Sequence, residues 1–380
     1  MKIGIITEYF PKSDALDIKG GAEACAFNEA KYLVKKHDVT VITSYEAGDK
    51  KNDNISGINV IRCGKERKYV QSGSLFSRLN FMIDAYKTGK NENFDILVGY
   101  NFITYPVSWK IAGKLKKPCV LRYHDMWIGE WIKNFGISGI FGELMERYIL
   151  SRDLDMILSV SEYTKNKLKK YFDPRKITVI PNIVDVPQVK AHKFENPTIS
   201  CVARLVEYKR VDDLLHAVKI IKKDVPDIQC KIIGTGPKEI YLKKLAEDLK
   251  INENIDFCGF IEDHDDVLRI IKASHVFCLP SVVEGFGIVI VEAMALGVPF
   301  VASDISPLVE ASGGKGGLFF KPKNYEEMAN KIKYILNNKK LQKSLEKEGT
   351  VKSKEYNGEK IAREIESIYE KLINDYKNKK

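Results

Sequence analysis

Arg204 and Lys209 stand five residues apart: Cys201-Val202-Ala203-Arg204-Leu205 leaves an apolar strand, and Lys209 follows ahead of a helical stretch. Beyond a strand end, a guanidinium fork and an ammonium can clamp a phosphate group between them. Taken alone, the pair also reads as a solvated helix start. Gly234-Thr235-Gly236-Pro237 follows a second apolar run and precedes a second helical stretch. Glycines there let the backbone approach a ligand, and the helix start favours an anion. The third glycine of the dinucleotide fingerprint is missing, because Glu239 occupies that place; a plain strand-to-helix turn is the alternative. Glu284 and Glu292 are separated by seven residues in PSVVEGFGIVIVEAMALGVPFVASD (280–304). Two carboxylates, one on a glycine-containing turn with Gly285 and Gly287 and one early in the next element, could hold sugar hydroxyls at two places. The β-branched run Ile288–Val291 reads as strand by propensity, while the stop signal Gly297-Val298-Pro299 argues for a helix before it. His124 ends the run PCVLRYH, where residue type alone suggests a hydrogen-bonded histidine closing a strand.

The elements that must position these residues come in two sets. Apolar runs at 2–7, 39–44, 58–63, 94–100, 118–124, 156–161 and 177–182 alternate with helical patterns such as Ala22–Lys36, Leu75–Lys87, Tyr105–Leu115 and Tyr163–Tyr171. The pattern restarts with runs at 198–205, 227–234, 254–260, 275–280 and 298–303. Strands that are apolar throughout and separated by helices mean parallel sheets covered on both faces. The expected architecture is α/β, two Rossmann-like doubly wound domains facing a central cleft. The first spans 1–187, the second 195–356, and the proline-bearing segment 184–197 is the expected linker. The tail 357–380 carries a helical stripe of Ile361, Ile365, Ile368, Leu372 and Tyr376 that is expected to pack back on the first domain. Open α/β sheets bind ligands outside the carboxyl ends of their strands, which is where the residues above fall.

Bulk properties exclude several classes. With 380 residues, 44% hydrophobic and 29% charged, the chain is globular and long enough for two cores. Its seven cysteines are odd in number and lack Cys-x-x-Cys spacing, so reduced core thiols are expected rather than a disulfide framework or zinc site. The net charge of +10 is spread through helices with no nucleic-acid motif, so nucleic acid is not an expected partner. No run reaches the ~20 apolar residues of a membrane span. The stretch between Lys2 and Glu8 is too short for a signal-peptide core, which points to the cytoplasm.

Segment 280–304, with Arg204-Leu205…Lys209, Gly234–Pro237 and Phe257-Cys258-Gly259-Phe260, resembles glycosyltransferase family 4, the large family of retaining GT-B enzymes with an E-x7-E motif. Lys19-Gly20-Gly21-Ala22-Glu23 and Ile180-Pro181-Asn182-Ile183-Val184-Asp185 resemble it as well, and the pieces follow the family's order over essentially the whole chain. Ile183, where the family often has Gly, departs only at a turn.

The resemblance implies hexosyl transfer from a nucleoside-diphosphate sugar, UDP or GDP, with retention and without cofactor or metal. Arg204 and Lys209 would hold the donor diphosphate, Glu284 the transferred sugar and Glu292 the ribose. The backbone of Phe286, Gly287 and Ile288 would help hold sugar and phosphate, and Phe260, Ile261, Gly234 and Gly236 would flank the base. In the first domain Gly20 and Gly21 would offer helix-start amides to the diphosphate. His124 would lie near the anomeric carbon, with Asp125 orienting its ring or binding acceptor. A GT-B epimerase or a non-catalytic sugar-nucleotide-binding protein is the alternative. Asp153-Leu154-Asp155 has the Asp-x-Asp form of another transferase fold, but its position before a strand reads as capping and surface. The acceptor, a glycan, a lipid-linked sugar or a small molecule, is expected near 64–80 and 100–150. There Trp127, Ile128, Trp131, Phe135, Ile140 and Phe141, with Arg67, Lys68 and Arg78, suit either peripheral contact with the inner membrane face or an ordinary helix packed on its domain.

Overall fold

The computed structural model describes residues 1–13, 20–67 and 75–378; Lys19 and Lys68 lie outside them, as do the side chains of Arg67 and Phe135. The chain divides into two compact units, Met1–Ile183 with Gly358–Lys380, and Val184–Asn357.

In the first unit, β1 (Lys2–Ile6), β2 (Asp38–Glu46), β3 (Asn52–Ile55), β4 (Ile58–Arg67), β5 (Ile96–Gly99), β6 (Cys119–Tyr123), β7 (Met156–Ser159) and β8 (Ile177–Val179) form one sheet in the order β3-β4-β2-β1-β5-β6-β7-β8. Every pairing is parallel except β3 with β4. Strand β3 has the polar sequence Asn-Asp-Asn-Ile, and no hydrophobic pattern announces it; the antiparallel partner supplies the signal. The C-terminal helix Gly358–Asn378 belongs to this unit and packs on the helix Gly21–Leu33. It buries Ile361, Ala362, Ile365, Tyr369 and Ile373. Ile368, Leu372 and Tyr376 are only half-buried, so beyond Ile365 the buried stripe runs one position off the expected one, and the expected residues flank it.

In the second unit, β9 (Thr198–Val202), β10 (Gln229–Ile233), β11 (Ile255–Gly259), β12 (Val276–Leu279), β13 (Phe300–Ser303) and β14 (Gly317–Phe320) pair in parallel in the order β11-β10-β9-β12-β13-β14. Alternation along the strands sends Val276 and Cys278 into one core and Phe277 and Leu279 into the other, one on each face. The order reverses between β9 and β12, and that switch point is where an open α/β sheet leaves a crevice for ligands. The segment expected as a linker is laced to this unit instead. Val184 N donates to Tyr356 O at 3.1 Å, Phe194 N to Ala273 O at 3.0 Å, and Lys272 Nζ to Val189 O at 2.6 Å.

Candidate active site

The loops at the carboxyl edge of the second sheet are tied to one another by backbone bonds. After β9, Leu205 N donates to Thr235 O at 3.0 Å and Lys238 N to Leu205 O at 3.0 Å. A Cβ on Gly234 would lie 2.2 Å from Ala203 O, and one on Gly236 would lie 2.4 Å from Leu205 O. The glycines are therefore required by a close approach of two protein backbones. Gly234 N in turn donates to Gly259 O at 2.7 Å, joining this loop to the end of β11, where Phe260 stands exposed and Ile261 half-buried. On the other side, Val282 N donates to Tyr208 O at 2.9 Å, which joins the β9 and β12 loops across the switch point.

This lacing brings three of the expected residues together. Lys209 Nζ meets Glu284 Oε1 at 2.5 Å, with side chains 17% and 13% exposed. Arg204 donates to the hydroxyl of Tyr208 and lies over its ring. The run Ile288–Val291 is helical, part of Ile288–Ala295, and not strand. Gly287 opens that helix with φ of 95°, a conformation that costs a side-chain-bearing residue dearly, and the apolar face of the helix is buried against the second core. Tertiary burial has overridden β-propensity. Glu292 lies on this helix, 7% exposed; its Oε1 meets His264 Nε2 at 3.0 Å, and its Oε2 has no hydrogen-bond partner. The side chain of Phe286 is buried and packs edge-on against Tyr356 at 5.3 Å, so only its backbone faces the loop.

His264 and Tyr208 went unrecognised in the sequence. His264 sits in an acidic, helix-capping stretch, Asp263-His264-Asp265-Asp266, which reads as an ordinary solvated helix start.

The first unit holds Gly20, Gly21 and His124. Gly20 is the extended N-cap of the helix Gly21–Leu33 and has no side chain with which to cap it. His124 follows β6 with its Nε2 buried and without a hydrogen-bond partner, its ring tilted against Tyr100 at 5.9 Å. Burial, then the charge of Arg122, pushes its pKa down to about 3, so the imidazole is neutral. The hydrogen-bonded strand-end histidine suggested by residue type is thus replaced by one whose Nε2 lacks a partner. Asp125 Oδ1 receives Lys167 Nζ at 2.8 Å and Met126 N at 2.7 Å. Asp155 accepts from Cys119 N at 2.9 Å and Asp153 pairs with Lys176 at 2.7 Å, structural uses of both carboxylates.

Of the two readings of the aromatic stretch, Trp131 and Ile128 follow the packed one. Trp131 donates to Glu146 at 2.8 Å and meets Phe102 edge-on at 4.6 Å; Ile128 is buried. Arg78 is held by Glu8 at 3.0 Å. Ile140 of that stretch is exposed, and so are Leu75, Phe76, Leu79 and Ile83 on the helix Leu75–Gly89 and Ile132, Ile137 and Leu144 in the 131–150 region. No helix among the described residues is long and apolar enough to cross a membrane.

Comparison with known proteins agrees with this arrangement. Residues 19–188 match the family model described as Glycosyltransferase Family 4, and residues 185–352 match that described as Glycosyl transferases group 1. An uncharacterized glycosyltransferase of Methanocaldococcus jannaschii is 30% identical over 307 residues, covering 78% of this chain and 82% of that one. An uncharacterized glycosyltransferase of Haemophilus influenzae is 34% identical over 58% of this chain, a match that spans 63% of the relative's length. Sucrose-phosphate synthase of Thermosynechococcus elongatus superposes with a TM-score of 0.82 over 98% of this chain and 99% of its own, at 17% identity. Anabaena HepE, in a complex with UDP-glucose, superposes with a TM-score of 0.75 over 98% of this chain and 100% of its own, at 17% identity. The fold is GT-B, two Rossmann-like units. The chain belongs to glycosyltransferase family 4 and is a glycosyltransferase.

Proposed function

We propose that the protein moves a hexosyl group, with retention and without a metal ion, from a nucleoside-diphosphate sugar to a glycan, lipid-linked or small-molecule acceptor. The observation that carries the donor reading is the pair of cations at the β9–β12 switch point, Lys209 on Glu284 and Arg204 on Tyr208, with the buried Glu292 on the helix that follows keeping one oxygen bare. When the bond from C1 to the phosphate oxygen breaks, the sugar turns oxocarbenium-like and the leaving diphosphate gains negative charge. Cations fixed at that phosphate stabilise the transition state more than the ground state. At an effective dielectric near ~20, one such charge at ~4 Å contributes roughly 4 kcal/mol. Arg204 and Lys209 can thus supply the charge that a metal ion provides elsewhere. Glu284, already on Lys209, would take hydroxyls of the transferred sugar. The acceptor oxygen bonds to C1 on the face the diphosphate leaves, and its proton passes to the departing phosphate. His124 of the first unit is neutral and can accept or donate one hydrogen bond without adding charge. The UDP-glucose held by HepE supports a uridine donor, with GDP the second candidate. Intact Arg204, Lys209, Glu284 and Glu292 count against the epimerase and non-catalytic alternatives.

The reading is tested by thermal shift with UDP, GDP and their sugar conjugates, since a bound ligand raises apparent stability by mass action. Donor hydrolysis or transfer is then measured with excess chelator. A shift with UDP or GDP and turnover unaffected by chelator support it; strict dependence on an added divalent cation overturns the metal-free charge argument.

A lipid-linked acceptor is the second reading, supported by the exposed side chains Phe76 at 71% and Ile137 at 87%. The helix Leu75–Gly89 places Leu75, Leu79 and Ile83 at fourfold spacing and ends in the exposed Lys87; Ile140 and Leu144 repeat that spacing ahead of the exposed Arg147. Apolar stripes ending in cations suit the headgroup region of an anionic bilayer. Sedimentation with phosphatidylglycerol vesicles, and its loss in Phe76→Ser with Ile137→Ser, is the expected result. Equal recovery of wild type with and without vesicles removes the reading.

A further inference from the structure

The two oxygens of Glu292 are treated differently by the protein. Oε1 meets His264 Nε2 at 3.0 Å, while Oε2 is buried with no partner. A carboxylate oxygen buried and bare is costly, and native proteins rarely keep one without a use. Here it calls for a donor from outside the chain. His264 comes from a separate element, as the first residue of the helix His264–Ala273. That helix is capped by Asp263, whose side chain accepts from Asp265 N at 2.9 Å, so the imidazole is not spent on capping. Its side chain is 41% exposed, against 9% for that of Glu292. Burial lowers the basicity of His264, but the hydrogen bond and charge of Glu292 outweigh it and raise its pKa above the ordinary value, favouring a protonated Nε2 that donates.

The last torsion of a glutamate is broad and only two-fold in preference, so an unheld carboxylate turns freely between its rotamers. One hydrogen bond to Oε1 stops that rotation and presents Oε2 in a single direction. We propose that His264 is a positioning residue that fixes the Glu292 carboxylate and thereby makes the second unit select ribonucleotides over deoxyribonucleotides. The inference rests on the reading of Glu292 as the acceptor for ribose hydroxyls. With the carboxylate held, a ribose hydroxyl satisfies Oε2, and a deoxyribose leaves it bare. With the carboxylate free to turn, water or another donor can reach it, and the penalty for the missing hydroxyl falls.

The test is calorimetric titration of the full chain with UDP and GDP, then with the 2′-deoxy and 3′-deoxy forms of the tighter binder. Wild type is expected to bind at least one deoxy form weaker by about tenfold or more, the size of one lost hydrogen bond to a charged group. In His264→Ala that ratio should fall below about threefold while the melting transition stays cooperative. His264→Gln, which returns an N–H donor, should recover the ratio. His264→Phe keeps a ring without a donor and replaces the alanine variant if the latter does not fold; it should lose the ratio too. An undiminished ratio in the alanine or phenylalanine variant overturns the positioning role and leaves the ribose reading of Glu292 standing. A wild type that binds UDP or GDP but does not discriminate against either deoxy form sinks that ribose reading, and this inference with it.

Discussion

Each unit holds an ion pair of largely buried side chains, and the two are built differently. In the first, Arg122 on β6 meets Glu29 at 2.6 Å with both side chains wholly buried. The guanidinium also donates to Ile180 O at 2.5 Å and Pro181 O at 2.9 Å, and Tyr100 donates its hydroxyl to the same carboxylate. In the second, Lys209 and Glu284 meet at 2.5 Å but remain partly open to solvent, and the ammonium has donors beyond the one Glu284 uses. A closed pair whose groups are spent on the protein can only hold the protein together. An open pair with spare donors can take a further partner. Distance alone does not separate scaffold from site here; access and spare hydrogen-bonding capacity do.

The largest expected effect comes from breaking the closed pair. Arg122→Met leaves a fully buried Glu29 without its cation and strips the Ile180 and Pro181 carbonyls of their donor. Removing one partner of a buried pair costs about 3–5 kcal/mol, a large share of a typical total stability of about 5–15 kcal/mol. Urea unfolding should show that loss, and Arg122→Met with Glu29→Leu should recover part of it, because no lone charge then remains. A single variant with wild-type stability would mean the network is not what closes the first unit.

Breaking the open pair should reverse the balance between stability and activity. Lys209→Ala is expected to lower stability by about 1 kcal/mol, since both side chains can be rehydrated. It should lower kcat/KM by about a hundredfold or more, the range for removing a fixed donor from developing charge. Arg204→Ala should behave alike. If Lys209→Ala loses stability and activity in the proportions of Arg122→Met, the two pairs are the same kind of object and the contrast fails.

The same distinction explains what the sequence could tell. Parallel strands, their alternation with helices and the restart near residue 198 were legible because apolar periodicity depends on neighbouring residues. Arg204, Lys209, Glu284 and Glu292 were named as a set only through the family resemblance, since each alone also reads as an ordinary helix start or turn; the structure brings Lys209 to Glu284. Three things were not legible. The polar strand β3 exists through its partner β4, a contact no local pattern encodes. The helix at Ile288 runs against local propensity and is held by burial and by the Gly287 turn. His264 reaches Glu292 across 28 residues from a stretch whose composition describes only a capped helix start. Gly234 and Gly236 read in the sequence as an approach to a ligand or a plain turn; that the close approach is to the backbone of Ala203 and Leu205 needed coordinates.

Glu146 extends the comparison to a buried carboxylate with no cation bonded to it. It accepts from Trp131 Nε1 at 2.8 Å and Trp127 N at 3.1 Å and is 1% exposed. Burial raises its pKa to about 7, only partly offset by the two tryptophan donors. The folded state therefore keeps a proton that the unfolded state has released between the ordinary value of 4.5 and about 7. Stability from this group is full below the lower value and is lost as pH rises through the upper one, the opposite of a carboxylate held by a cation. Between about pH 5 and about pH 8, wild type should lose on the order of 1–2 kcal/mol more than Glu146→Gln, read as a difference in urea midpoints at the two pH values. Tryptophan emission followed over the same range should shift in wild type and not in the variant, because two of the three tryptophans lie against this group. Parallel pH dependences of wild type and variant would mean that Glu146 stays ionised in the fold, and that the two tryptophan donors alone compensate its burial.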